Sequence, residues 1–212
     1  MKIGIIGASG KTGTDLVQEA VSRGHEVTAL VRDASRLSLP RDGSVTVVEK
    51  DAFALSEADF EGLDAVVNAF ATAPEQAHRH VELAEHLVGL ASAEAPRLVF
   101  ILGAGSLQAE DGRLAVEHIR ELPGSEQWIS IPESQLRELE YLRTVDTADW
   151  VGISPQMEFE VGPAGTPVLG KDALMTDSEG RSRTTTGTMA VAVLDELEQP
   201  QHRRTRFTVV EG

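Results

Sequence analysis

Residues 1–13 read MKIGIIGASGKTG, and this stretch decides the fold. Ile3, Ile5 and Ile6 make a short β-branched run with Gly4 inside it. Gly7, Gly10 and Gly13 follow at three-residue spacing. From Lys11 to Arg23 the apolar residues Leu16, Val17, Ala20 and Val21 recur with helical period, and Gly24 closes the segment. Strand, glycine turn, helix is the setting that a phosphate-cradling loop requires. The turn is tight, no Cβ can stand between the backbone and a pyrophosphate, and the helix must pack close to the strand. The first-turn amides of the helix then point at the anion, and the helix dipole favours its charge. Ser9, Lys11 and Thr12 share this turn and are candidate contacts with the three glycines. A tight turn without a ligand is the bland alternative. A mononucleotide loop is the other, because Gly10-Lys11-Thr12 ends like one. That motif needs glycine at position 5, which is Ile5, whereas the glycine spacing fits a dinucleotide fingerprint.

A second strand, His25–Val31, follows at the distance of a βαβ unit and ends at Arg32. An acid reading a free ribose 2′-hydroxyl belongs about twenty residues past the glycines. Arg32 stands there, with Ser35 and Arg36 close behind. Guanidinium pairs well with phosphate, so the residues favour NADP over NAD, with NAD still admissible. Asp33 is the competing signal: it could serve the ribose or cap the next turn.

The remaining chain reads as a continuation of the same architecture. Val45–Lys50 is expected as strand three, with Asp51 and Ala52 as candidates to flank the adenine and a cap or turn role for Asp51 as the equal alternative. Ser56–Leu63 holds a short helix. Asp64–Phe70 is an apolar run fit for a sheet covered on both faces. The small-residue turn after it offers Ala69, Phe70 and Ala71 to the cofactor. Pro74 to Ala95 is expected as one long helix with Ala77, Val81, Ala84, Val88 and Ala91 on its buried face. His78, Glu82 and His86 have a spacing that could hold a metal, but no further ligand accompanies them, and a solvated face is the reading adopted. Arg97–Gly103 is strand five and runs into Gly103-Ala104-Gly105-Ser106. Leu114–Leu122 reads as a helix and Trp128-Ile-Ser-Ile as extended, within a stretch suited to a substrate-side flap. Pro132–Asp146 is helical, Asp149–Ser154 is strand six ending at Pro155, and Val161–Leu169 suggests a loop and short strand. Gly187–Gln199 and Arg206–Val210 are the last helix and strand. Ligands of doubly wound sheets bind at the carboxyl ends of the strands, so the turns at 7–13, 32–36, 51–52, 69–73 and 103–106 are expected to converge on one crevice.

The bulk numbers limit the function classes. A chain of 212 residues buries one core, so one domain spanning 1–212 is expected, with 105–131 and 155–186 as substrate-side insertions. A net charge of −15 argues against nucleic acid or an anionic membrane as partner. Absence of cysteine removes disulfides, thiolate metal sites and a thiol nucleophile. With the first strand at Met1 and no membrane-length apolar run, no signal peptide and a cytoplasmic location are expected. No metal site is expected, and the chain is expected to be a monomer or homodimer.

IGASGKTG, HEVTALVRDASRL, DAVVNAF, LVFILGAGSL and the tail AVAVLDELEQPQHRRTRFTV together resemble the atypical short-chain dehydrogenase/reductases of the NADH-flavin reductase group. They are similar, at greater distance, to the flavin reductase/biliverdin-IXβ reductase family. The resemblance spans essentially the whole chain. It implies a Rossmann fold (α/β, a doubly wound, mostly parallel sheet), a nicotinamide cofactor, and hydride delivery to a planar flavin-like or tetrapyrrole-like acceptor. Two departures accompany it. The superfamily's Tyr–Lys pair, four residues apart, is absent, since the only tyrosine is Tyr141 and position 145 is Val145. That disfavours alcohol dehydrogenase and sugar epimerase chemistry. The hydroxyl residue that biliverdin-type relatives carry after strand five is replaced by Gly103, which leaves Ser106 as the candidate catalytic serine. The leading expectation is an NAD(P)H-dependent reductase of a small planar acceptor. A non-catalytic NADP-binding sensor and an epimerase/dehydratase-like enzyme are the rivals.

Overall fold

The computed structural model describes residues 1–37, 43–91 and 96–212. Its strands are β1 (Lys2–Ile6), β2 (Glu26–Val31), β3 (Val45–Glu49), β4 (Ala65–Asn68), β5 (Arg97–Ile101), β6 (Trp150–Ser154), β7 (Glu158–Glu160), β8 (Pro167–Gly170), β9 (Arg183–Thr185) and β10 (Thr205–Glu211). Its α-helices are α1 (Lys11–Ser22), α2 (Glu57–Phe60), α3 (Arg79–Leu90), α4 (Ala115–Glu121), α5 (Ser130–Leu142) and α6 (Thr186–Glu198). Eight strands form one sheet in the order β3-β2-β1-β4-β5-β6-β10-β8. All neighbours in it are parallel except β10 and β8. β7 and β9 make a separate parallel ribbon.

The apolar strands divide by parity into two cores, because successive side chains of a strand point to opposite faces. Ile3, Ile5, Val67, Val99, Ile101, Val151 and Ile153 pack with Leu16, Val17 and Ala20 of α1 and Met189, Val193 and Leu197 of α6. Ile6, Val66, Leu98, Phe100 and Trp150 pack with Leu83 and Leu87 of α3 and Leu139 and Leu142 of α5. This two-sided cover explains why β4 and β5 read as unbroken hydrophobic runs. The reversal of strand order between β1 and β4 opens a crevice at the carboxyl end of the sheet.

Three local expectations need correction. Trp128-Ile-Ser-Ile is not extended: a turn of 3-10 helix covers Ser125–Gln127 and α5 starts at Ser130. Pro132 is accommodated because the first turn of a helix makes no demand on its missing amide, and Ser130 Oγ ties this helix start to the Pro74 carbonyl at 2.8 Å. The helix after β4 begins with a separate 3-10 turn at Pro74–Gln76 and continues as α3, while the end of the expected helix falls on 92–95, outside the described residues. Its buried stripe is His80, Leu83, Ala84, Leu87 and Val88, rotated from the expected one, and Val81 lies only half inside. His86 does not belong to a solvated face either. Its Nε2 lies 3.0 Å from the Leu55 carbonyl oxygen, and no cluster among the described residues could hold a metal.

Candidate functional site

The glycine turn is built by backbone geometry. Gly7 sits at φ +76°, where a Cβ would stand 2.6 Å from the Ala69 carbonyl oxygen. Its amide donates to Leu30 O at 3.1 Å, and the Gly10 amide donates to Gly7 O at 2.8 Å. Gly13 is buried under the loop, and a Cβ there would lie 2.7 Å from the Gly7 carbonyl carbon and 2.8 Å from Ala8 Cα. α1 thus begins against the tip of β1. Gly10 is its N-cap, with no side-chain cap bond and no acid in the first turn. The helix end is left for an outside anion, which fits a dinucleotide pyrophosphate.

Two adjoining cavities occupy the crevice, of about 520 and 440 Å³. Gly7, Ser9, Gly10, Lys11 and Thr12 line the first, together with Arg32 and Arg36 from the end of β2 and Asp51 and Ala52 from the end of β3. Ala69, Phe70 and Ala71 line both cavities, as does Thr12. Gly103, Ala104 and Pro155 line the second. The turns expected to converge therefore do meet. Gly13 supports the loop from beneath. Ser35 turns away: its Oγ and amide both bond Asp33 Oδ1, at 2.6 and 3.0 Å. Those bonds hold the Asp33 carboxyl below its usual range, and they make Asp33 the cap of the turn Ala34–Arg36. Asp51 caps in the same way, accepting from Phe53 N at 2.9 Å. Arg32 and Arg36 have no ion pair among the described residues and are exposed at the cavity edge.

Ser106 lies elsewhere. It is buried, it is not among the residues lining the second cavity, and Arg206 donates to its hydroxyl at 3.2 Å and to its carbonyl at 3.3 Å. Arg206 also donates to Ser154 Oγ at 3.2 Å and Asp172 Oδ1 at 2.8 Å, so the serine belongs to a bracket joining the ends of β5, β6 and β10. Gly103 has a different consequence. A Cβ there would lie 3.0 Å from Gln135 Cδ, so the Gln135 side chain of α5 occupies the space a larger residue would need.

Several residues that now line the site carry no local motif. Lys50 and Arg79 add two cations to the first cavity, and Phe53 and Phe159 add two rings. The Arg79 guanidinium stands 4.2 Å over the Phe53 ring, which meets Phe70 edge-on at 5.9 Å. Ile119, Trp128 and Ile131 from the 108–131 stretch form one wall of the second cavity, and Gln135, Met157 and Phe159 complete it. The only available signal was position: Arg79 starts the helix after β4, and Phe53 follows the cap after β3, both at carboxyl ends of strands.

Behind Phe70 lies a buried pair. The His80 ring meets Phe70 edge-on at 5.3 Å, and His80 Nδ1 is 3.7 Å from Glu138 Oε2. His80 Nε2 and Glu138 Oε2 have no hydrogen-bond partner. Burial pulls the imidazole down to about 4 and pushes the Glu138 carboxyl well above its ordinary value. The folded state thus keeps a proton on Glu138 that the unfolded chain releases above about pH 4.5, the ordinary carboxylate value, so this group's contribution falls as pH rises. Glu138→Gln is expected to gain stability on the parent as pH rises from 5 to 7. Urea unfolding at the two pH values checks it.

A doubly wound sheet whose glycine loop, uncapped helix end and cations meet at the switch point defines a Rossmann-type dinucleotide-binding protein. The NAD(P)H-binding family matches residues 7–199, and the chain belongs to that family. Uncharacterized protein YwnB of Bacillus subtilis (strain 168) is 41% identical over 216 residues, covering 99% of this chain and 98% of that protein. A structure named "putative NADH-flavin reductase" from Streptococcus pneumoniae TIGR4 is 31% identical with a TM-score of 0.87, covering all of both chains. A "putative epimerase" from Bacteroides thetaiotaomicron is also 31% identical with a TM-score of 0.87, covering 99% of this chain and 96% of that one. No helix among the described residues is long and apolar enough to cross a membrane.

Proposed function

We propose that this chain is a cytoplasmic NADPH-preferring reductase that passes a hydride to a flavin or a similar planar quinoid acceptor. The observation that carries this reading is the division of one crevice into a cation-edged half at the glycine loop and a half beside it whose described lining holds no charged side chain. Lys11 and the α1 amides would hold the pyrophosphate, Arg32 and Arg36 the 2′-phosphate, and Ala69–Ala71 the nicotinamide ribose. A bound reduced nicotinamide would supply the hydride, and the acceptor would take it with one proton from water. The chain's own task is to bring the two rings together and exclude bulk water between them, which is catalysis by proximity and orientation. The similarity to a structure named for flavin reduction supports the acceptor class. The epimerase reading is disfavoured because Tyr141 packs against the α3–α5 core and lines neither cavity.

Titration of the protein with NADPH and NADH, followed by riboflavin, tests the proposal. Tighter NADPH binding with acceptor-dependent loss of its absorbance supports it. Binding without turnover across flavins and quinones would establish a sensor instead. Arg32→Ala and Arg36→Ala are each expected to weaken NADPH about tenfold, the size of one charge-assisted bond, and to change NADH binding little. Ser106→Ala is expected to lose less than about tenfold in kcat, below the contribution of a positioned acid–base group. A hundredfold loss would place the serine in the chemistry.

A further inference from the structure

We propose that the second cavity selects an uncharged planar acceptor and discriminates against acceptors that carry a phosphate, such as FMN. This rests on the reductase reading above and names the acceptor class for the same site. Lys11, Arg32, Arg36 and Arg79 all border the first cavity, which the reductase reading assigns to the phosphates of the dinucleotide. The second is bounded by Phe70, Ile119, Trp128, Ile131, Met157 and their apolar neighbours, and among the described residues no Lys, Arg, His, Asp or Glu lines it. The arginines of α4 and α5 do not line this cavity and approach one carboxylate. Arg120 pairs with Glu133 at 2.8 Å, and Arg137 approaches the same carboxylate at 3.6 Å.

The polar groups of the second cavity suit a neutral ring edge. The Gln156 amide is spent inside the protein, donating to Thr208 Oγ1 at 2.8 Å and accepting from the Met175 amide at 2.9 Å. The Gln135 side chain has no hydrogen-bond partner among the described residues, stands over Gly103 and lines the cavity. Its amide can donate and accept at once, which matches the alternating carbonyl and nitrogen edge of an isoalloxazine or a quinone oxygen. A phosphate held in the second cavity would meet no counter-charge in its described lining. It would also meet the field of a chain with net charge −15 and of the bound dinucleotide's own phosphates.

The test compares riboflavin with FMN, which share one reactive ring system, using the NADPH-loaded enzyme at low and high salt. The expected kcat/KM favours riboflavin at least about tenfold at low ionic strength, and the gap narrows to about threefold at high salt as repulsion is screened. Met157→Lys, at an exposed position lining the cavity, is expected to raise the FMN-to-riboflavin ratio about threefold at low salt. FMN equal to or better than riboflavin would overturn the proposal, as would a ratio unmoved by both salt and Met157→Lys. If neither flavin is reduced, the reductase reading fails and flavin binding to the NADP⁺-loaded protein decides this one. Quenching by riboflavin well below the concentration needed for FMN supports a neutral-ring cavity, and equal or absent quenching overturns it.

Discussion

Gly13→Val is expected to weaken NADPH binding at least about a hundredfold and to destabilise the fold by about 3 kcal/mol, the upper range for side chains forced into a packed site. The reason is steric and local. Gly13 is where α1 crosses the loop, and the neighbours of an added Cβ are the Gly7 carbonyl carbon at 2.7 Å and Ala8 Cα at 2.8 Å. Both are backbone, so no side-chain rotation relieves the overlap. Either the loop lifts off the helix or the helix shifts from β1, and each movement misaligns the first-turn amides. Gly10→Ala supplies the contrast. Its Cβ would meet only Gly7 O, at 3.1 Å, so folding is expected to lose less than about 1 kcal/mol while the methyl stands where the anion approaches. Calorimetric titration and urea unfolding of both variants separate the roles. Gly13→Val retaining NADPH affinity within tenfold would show that the loop does not form the pyrophosphate cradle.

Glu196→Ala is expected to cost about 3–5 kcal/mol of stability, the range for removing one partner of a buried ion pair. Glu196 is 4% exposed. Its carboxylate accepts from Arg97 Nη2 at 2.8 Å and from the Gln201 and His202 amides at 3.1 and 3.0 Å, and His202 Nδ1 lies 2.7 Å away. Truncation strands the Arg97 guanidinium, which also donates to the carbonyls of Glu196 and His202, and leaves two amides without their acceptor. Arg97 opens β5, at the end of the sheet opposite the crevice. Dinucleotide affinity measured below the unfolding transition is therefore expected to stay within about twofold of the parent. A large fall in affinity without a fall in stability would contradict this assignment. Glu196→Gln keeps the shape without the charge and is expected to fall between the two.

The two cases show why the glycine loop and the tail motif DELEQP differ in kind. The loop acts on a ligand through backbone amides, and its glycines are required at the site. The tail fixes the approach to β10 through one buried acid. β10 then supplies Arg206, whose guanidinium links Ser106, Ser154 and Asp172. This cation is enclosed and does not line the second cavity.

The sequence by itself determined the doubly wound sheet and the dinucleotide end of the crevice. Both follow from short-range physics: strand parity, helical period, and the steric demand that only glycine meets at Gly7 and Gly13. The turns after β1 to β5 had to converge because parallel strands place their carboxyl ends on one side. The tertiary structure decided what local rules could not. Ser106 was placed by Arg206, 100 positions away, and not by its neighbours. Trp128–Ile131, extended by its residue types, joined the start of a helix that packs across the sheet and caps the second cavity. Arg79, Phe53 and Phe159 line one cavity although nothing in their flanking residues links them. His80 took the buried face of α3, where the packing of α3 on α5 set it beside Glu138. Such partnerships join residues distant in the chain, and they exist only once burial and packing have fixed which faces meet.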